Sequence, residues 1–263
     1  MKISIITVAY NSSATISDTI KSVLDQTYLD IEYIIVDGNS KDNTMSIVKD
    51  YEPIFNGRMH WISEPDKGLY DAMNKGIQMA TGEVIGIINS DDFYVNNSVI
   101  EEVIKTIKIR NVDSLYTDLY LVDSTDTDKV IRDCTYRDFK KGLFFQGWHP
   151  PHPSFFVKRK IYDKYGKFDL TYSIAADYDF MLRVLEKHSI TTTYLPIHTI
   201  KMRNGGASTS SLKHIKISQK ECLLAFKKND LSVNKWGYFI GKYQQKLRQY
   251  SFRSLIQDVR SKK

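Results

Sequence analysis

An α/β fold with a mostly parallel central sheet is what this chain predicts, on three observations. Short apolar runs alternate with amphipathic stretches through the N-terminal third. Several of those runs stop abruptly at turn-forming and acidic residues. The clearest is Val84-Ile85-Gly86-Ile87-Ile88, closed by Asn89-Ser90-Asp91-Asp92. A short apolar run bounded by turn chemistry reads as a strand buried on both faces. Strands alternating with helices imply parallel pairing through right-handed crossovers.

Taken in order, Ile3-Ser4-Ile5-Ile6-Thr7-Val8 is the first strand, and residues 14–26 carry helical spacing through Ile16, Ile20, Val23 and Leu24. Ile31-Glu32-Tyr33-Ile34-Ile35-Val36 is a second, β-branched strand. It stops at Asp37-Gly38-Asn39-Ser40-Lys41-Asp42-Asn43-Thr44, a turn that opens a helix near 42–51, with Asp42 beside Thr44 in capping chemistry. A short strand at Met59-His60-Trp61-Ile62, a helix over 69–80 and the strand at 83–88 follow, then a helix beginning near Asn97. Further on, Phe155-Phe156-Val157 reads as a strand, and Phe180, Leu182, Val184 and Leu185 mark a helix beginning near Asp177. Open α/β sheets bind ligands beyond the carboxyl ends of their strands, so Asp37 and the Asp91-Asp92 pair are delivered to one functional edge.

With 263 residues and 42% hydrophobic content, the chain can bury a substantial core as one large domain or one domain with an appendage. Met1-Lys2-Ile3-Ser4 leads straight into a strand, and no long apolar stretch occurs, so a cytoplasmic protein, neither exported nor membrane-spanning, is expected. Cys134 and Cys222 are far apart without metal-ligand spacing and read as packing residues. Charge is uneven. The net charge is +6, yet residues 1–200 hold 22 Lys/Arg against 28 Asp/Glu and residues 201–263 hold 15 against 3. The tail also interleaves apolar residues, as in Trp236-Gly237-Tyr238-Phe239-Ile240-Gly241-Lys242-Tyr243. Two readings of 212–263 stand side by side: basic helices lying peripherally on the anionic inner face of the membrane, or helices packed on the domain with a solvated basic face. The aromatic stretch suits an oligomer interface equally well. Nucleic acid is not an expected partner, because the acidic body repels phosphates and no recognition motif occurs.

The motifs taken together carry a resemblance. Ala9-Tyr10-Asn11, Val36-Asp37-Gly38-Asn39-Ser40-Lys41-Asp42-Asn43-Thr44, Glu64-Pro65-Asp66-Lys67-Gly68 before Ala72-Met73-Asn74-Lys75-Gly76, Gly82-Glu83 leading into Asn89-Ser90-Asp91-Asp92, and Ala176-Asp177-Tyr178-Asp179 resemble family 2 glycosyltransferases, inverting enzymes with the GT-A fold. The resemblance covers residues 1–208 and leaves 209–263 as a basic, aromatic-rich helical extension. It implies a nucleotide-diphosphate sugar donor and a glycan or lipid-linked acceptor, with bacterial polysaccharide biosynthesis as the setting.

That donor brings a base, a ribose and a pyrophosphate, and the leaving group gains charge as the glycosidic bond breaks. A hard divalent cation held by carboxylates and phosphate oxygens meets this need, and the resemblance implies Mn2+ or Mg2+ on Asp91 with Asp92 beside it. The family pattern here is Asp-x-Asp; this chain has Asn89 in the first place, followed by Ser90. The resemblance assigns Asp37 to the nucleotide base, where a carboxylate suits the N3–H of uracil and also serves guanine or thymine. Ala9, Tyr10 and Asn11 would line the same pocket, with Asp66 and Lys67 on the base or ribose side. Asp177 takes the general-base role in a motif whose usual preceding Glu is Ala176 here. Asp179, four residues before Arg183, reads as half of a helical ion pair.

On the acceptor side, Gln146-Gly147-Trp148-His149-Pro150-Pro151-His152-Pro153-Ser154 forms a rigid loop in which Trp148 can stack on a sugar ring and His152, or His149, can assist the acceptor. Arg203-Asn204-Gly205-Gly206-Ala207-Ser208 reads either as a loop closing over the donor, with Arg203 on the pyrophosphate, or as a surface linker. A nucleotidyltransferase is disfavoured by the lack of a Gly-rich cradle after the first strand, and a dinucleotide oxidoreductase by the lack of G-x-G-x-x-G. A catalytically silent sugar-nucleotide-binding subunit is the alternative, motivated by Asn89 and Ala176.

Overall fold

The computed structural model describes residues 1–205 and 212–245. Strand β1 (Ile3–Ala9) lies between β2 (Ile31–Asp37) and β4 (Val84–Asn89), with β3 (Met59–Ser63) outside β2, and all four run parallel. Beyond β4 the sheet continues through β8 (Phe155–Lys158), β6 (Ser114–Val122), β9 (Thr192–Arg203) and the short β5 (Phe93–Tyr94). Strand β7 (Val130–Cys134) pairs with β6. The pair β6 and β9 is parallel, whereas β8 joins antiparallel on both of its sides.

Strands β1 and β2 are buried along their whole length, which is why they read as largely apolar, β-branched runs. Successive side chains still alternate between faces. Ile3, Ile5, Tyr33, Ile35, Val84 and Ile88 join Ile16, Ile20 and Val23 of α1 (Ile16–Leu24) and Val99, Val103 and Ile107 of α4 (Val99–Arg110). Ile6, Val8, Ile34, Val36, Ile85 and Ile87 face the other way, onto Tyr70, Met73 and Ile77 of α3 (Leu69–Met79) and Phe180 of α6 (Ala176–Met181). Helix α2 (Thr44–Tyr51) and helix α5 (Arg159–Tyr165) complete the layers. Close packing of α3 on β1 depends on Gly76, where a Cβ would collide with the Ile6 side chain.

The register sets the functional edge. Ala9 pairs with Asp37, Asp37 with Ser63, and Val8 with Asn89, so the carboxyl ends of all four parallel strands finish in one row.

The opposite ends are clamped by Glu32, which is 4% exposed. It accepts hydrogen bonds from the Ser4 hydroxyl, the Thr81 N–H and hydroxyl, and the Lys2 ammonium at 3.0 Å. Burial alone would raise its carboxyl, but those donors overcome burial and bring it down to about 2. A folded pKa below the unfolded value contributes stability above the ordinary range of about 4.3, lost as pH falls toward 2. Glu32→Gln is therefore expected to cost about 2 kcal/mol at neutral pH. Thermal melts from neutral to acid should converge between the two proteins; parallel curves would refute the clamp.

Helix α7 (Leu212–Lys228) and the helix over 235–245, α8, return to the same core: Cys222, Ala225, Phe226 and Tyr238 are buried with Phe144 and Tyr178. The packed reading of the tail therefore describes the inner faces of α7 and α8, while residues 246–263 lie outside the described residues. Among the described residues no helix is long and apolar enough to cross a membrane.

Candidate active site

The loops after β1 and β2 are knitted to each other. Asn11, in the left-handed region at φ 49°, receives the Lys41 N–H on Oδ1 and donates its own N–H to the Ser40 hydroxyl, both at 2.8 Å. Asp42 receives the Ser13 and Thr44 N–H groups, the capping role its sequence context predicts. Next to this brace, Tyr10 is 63% exposed. A Cβ at Gly38 would lie 3.3 Å from the Tyr10 ring and 2.5 Å from Asp66 Oδ2, so only glycine lets Tyr10 and Asp66 approach each other across the end of β2. Asp66 uses Oδ1 to accept the Gly68 N–H, leaving Oδ2 toward this cleft. Lys67, exposed beside it, places its N–H on Asp71.

Asp37 differs from expectation. It is 0% exposed, and its oxygens accept the Ser40 N–H, the Ser40 hydroxyl and the Ser63 hydroxyl. It organises the edge instead of presenting an open carboxylate to a base.

Beyond β4 the chain turns at Asn89-Ser90-Asp91-Asp92. The Ser90 hydroxyl meets that of Ser12 at 2.8 Å, and Thr15 donates to the Ser90 carbonyl, so the turn is tied to α1. Asp92 is 1% exposed, with Oδ1 receiving the Arg203 N–H and Oδ2 the Asn89 amide. This corrects the expectation that Asp92 shares a cation: both its oxygens are committed inward. Burial, then the neighbouring Asp91 charge, pushes its carboxyl up to about 8. Asp91 is half-buried, and burial raises its carboxyl too. Arg203, whose charge acts on Asp91, donates to the Asp91 carbonyl at 2.6 Å.

Arg203 is itself relocated. It is the last residue of β9, 8% exposed, with its guanidinium on Asp18 at 2.5 Å. The expected free loop residue for pyrophosphate is thus a fixed strut between α1 and the 89–92 turn; residues 206–208 of that loop lie outside the described residues.

These donors suit a divalent cation. Among the described residues no hydrogen-bond partner reaches the buried Asn89 Oδ1, and at Asp91 the cost of burial outweighs the attraction of Arg203. Both are hard oxygen ligands. Among the described residues no group of three or more His, Cys, Asp or Glu that could hold a metal ion occurs.

The second half of the site lies at the start of α6. Asp177 Oδ1 accepts the Tyr70 hydroxyl at 2.9 Å, and Tyr70 also donates to the Ile174 carbonyl. Tyr70 is the second residue of α3, separated from Asp66-Lys67-Gly68 only by Leu69, so the first turn of that helix connects the cleft beside Gly38 to Asp177. The segment before α6 is anchored from α7: Glu221 accepts the Ser173, Ile174 and Ala175 N–H groups at 2.8, 2.8 and 2.9 Å. His149 and His152 adjoin this region. Burial holds both imidazoles below their ordinary pKa, while the Asp177 charge pulls each upward. Asp179 is structural, paired with Arg183 at 2.9 Å and bonded by Tyr172 and Asn229.

Trp148 needs correction as well. It is 4% exposed and packed among Tyr116, Tyr136, Phe139 and Phe144, so no ring face remains for a sugar. Tyr70 and Glu221 were not singled out from sequence; Tyr70 lies 107 residues from Asp177, and no local pattern connects them.

Against known proteins, the family model for Glycosyl transferase family 2 matches residues 4–166. The glycosyltransferase Rv1514c of Mycobacterium tuberculosis is 32% identical over 184 residues, covering 69% of this chain and 68% of that protein. Among solved structures, Staphylococcus aureus TarS 1–349 in complex with UDP-GlcNAc superposes with a TM-score of 0.69 at 16% identity, over 96% of this chain and 73% of that one. The chain spans only 40% of the longer TarS chain. The mannosyltransferase PcManGT of Pyrobaculum calidifontis, in complex with GDP-Man and Mn2+, superposes with a TM-score of 0.63 at 17% identity, over 86% of this chain and 63% of that one. With the family model covering more than half of its length and a relative above 30% identity, this chain belongs to glycosyl transferase family 2 and has the GT-A fold.

Proposed function

We propose that this glycosyltransferase is an inverting enzyme that moves a hexosyl or N-acetylhexosaminyl group from a UDP-sugar to a hydroxyl of a glycan or lipid-linked acceptor, at the inner face of the cytoplasmic membrane where that acceptor is lipid-linked. The observation that carries the reading is the bridge through Tyr70, which ties the cleft of Tyr10, Gly38 and Asp66 to the carboxylate of Asp177. Residues 1–208 carry the chemistry in this reading, and 209–263 form the extension that supports the acceptor side.

Asp177 takes the proton of the acceptor hydroxyl. The acceptor oxygen bonds to the anomeric carbon from the face opposite the nucleotide, the bond from that carbon to the β-phosphate oxygen breaks, and configuration inverts without a covalent enzyme intermediate. Tyr70 holds Asp177 in place, and the paired prolines at 150 and 151 stiffen the loop that carries His149 and His152 alongside it. Tyr10 offers a ring face to the base, and Asp66 Oδ2 an acceptor for its N–H, with Ala9 lining the end of β1 beneath it. Asp91 would hold a divalent cation together with Asn89 Oδ1, Asp92 bracing the turn from behind. When bound, that cation supplies Lewis-acid stabilisation of the departing diphosphate. The UDP-GlcNAc complex of TarS and the GDP-Man and Mn2+ complex of PcManGT support this donor chemistry and this cofactor.

Calorimetric titration with UDP and with GDP, each in Mn2+, in Mg2+ and in EDTA, tests the donor half. Metal-dependent UDP binding is expected. Binding of neither nucleotide would overturn the reading.

A further inference from the structure

Helix α8 divides its side chains into two opposed sets. On one side Tyr238 is 0% exposed, a Cβ at Gly147 would lie 2.6 Å from the Tyr238 carbonyl, and a Cβ at Gly241 would collide with the Gln146 backbone. On the other side Trp236 is 81% exposed, Ile240 57% and Tyr243 65%. Spaced four and then three residues apart, these three fall within about 60° of one another on the helix. Packing explains the first set and leaves the second facing water. A contiguous apolar stripe of this kind marks a contact surface. The segment that carries it is cationic: Lys235 immediately precedes Trp236 and is exposed, Lys213, Lys216, Lys220 and Lys227 are exposed along α7, and residues 201–263 hold 15 Lys/Arg against 3 Asp/Glu.

We propose that Trp236, Ile240 and Tyr243 seat α8 on an anionic lipid bilayer and thereby hold the acceptor side of the active site at the membrane surface. Charge selects the occupant. A second copy docked through the same surface would bring its own positive excess against it, whereas anionic headgroups neutralise it. Trp and Tyr are the side chains that settle at headgroup depth, with apolar bodies below and polar tips in water. The inner face supplies the geometry: α8 rests on Gln146-Gly147, at the head of the loop that carries His149 and His152, and the Lys242 charge is felt at His149, which also feels Asp177. Membrane contact and candidate base are therefore joined through one short loop. The inference rests on the lipid-linked acceptor and adds the surface that reaches it.

Sedimentation of the full chain with vesicles tests the surface. Binding to vesicles rich in phosphatidylglycerol is expected, with little binding to pure phosphatidylcholine and suppression by salt. A triple variant, Trp236→Ser with Ile240→Ser and Tyr243→Ser, should weaken that binding about tenfold or more while UDP titration without vesicles is unchanged. In the unmodified protein, tryptophan emission should shift to the blue on adding anionic vesicles, a readout independent of how the variant folds. Undiminished sedimentation of the variant, or a dimer that dissociates in the variant with no vesicle binding by either protein, would overturn the proposal. Loss of UDP binding in the unmodified protein, with vesicle binding intact, would instead overturn the donor reading and leave this surface standing.

Discussion

Asp177→Asn is expected to lower kcat by about 10²- to 10⁴-fold while UDP affinity stays unchanged, the magnitude that positioned proton transfer contributes. The substitution keeps the size of the side chain and removes only its ability to take a proton. The surroundings tolerate the change: the Tyr70 hydroxyl retains the Ile174 carbonyl as an acceptor, and Glu221 continues to hold the N–H groups of Ser173, Ile174 and Ala175. A drop in turnover with an unaltered melting temperature therefore reports chemistry. His149 and His152 are the competing bases. Burial lowers both and so favours the neutral imidazole, the form in which a ring nitrogen has a free lone pair. If the Asn variant keeps turnover within a few-fold and its pH profile follows a group titrating near or below the ordinary histidine range, the base is an imidazole and the role assigned to Asp177 falls. A protein that binds UDP but has no measurable transfer before or after the substitution would be the silent subunit.

The parallel half of the fold was legible because strands buried on both faces are mostly apolar and carry their carboxylates only near their ends. Val36-Asp37 and Ile88-Asn89 therefore announce both the strand and its functional edge. Strand β9 was hidden. Thr192–Arg203 mixes polar and apolar residues, includes the exposed Pro196, and pairs with β6 through a register shift near that proline, which has no N–H for the ladder. Without β9, Arg203 looked like a loop residue. Burial of individual polar and aromatic side chains was equally out of reach. Asp91 and Asp92 are adjacent and chemically identical, yet the turn after β4 closes Asp92 inward and leaves Asp91 half-buried. Trp148 among prolines and histidines looked like a sugar platform, and only the convergence of Tyr116, Tyr136, Phe139 and Phe144 makes it core. Contacts between residues far apart in sequence, such as Tyr70 with Asp177 and Glu221 with the turn at 173–175, have no one-dimensional signature at all.

Asp91→Ala is expected to bring UDP affinity in Mn2+ down to the value in EDTA and to reduce kcat by about 10³-fold or more, since electrostatic stabilisation of a leaving diphosphate is worth several kcal/mol and each 1.36 kcal/mol or so is tenfold. Fold and function separate cleanly at this residue. Arg203 holds the Asp91 carbonyl, which alanine keeps, and Asp92 remains bonded to the Arg203 N–H and the Asn89 amide. Burial already disfavours the ionised Asp91 carboxyl, so removing it relieves a desolvated charge and also the repulsion it exerts on Asp92. The melting temperature in EDTA should accordingly be equal to or above that of the unmodified protein, whereas the rise produced by Mn2+ together with UDP should vanish, because ligand that no longer binds the native state no longer stabilises it. A variant that melts lower in EDTA would make Asp91 a structural residue of the turn. One that keeps its Mn2+-dependent UDP affinity would move the cation, and with it the donor phosphates, away from the end of β4.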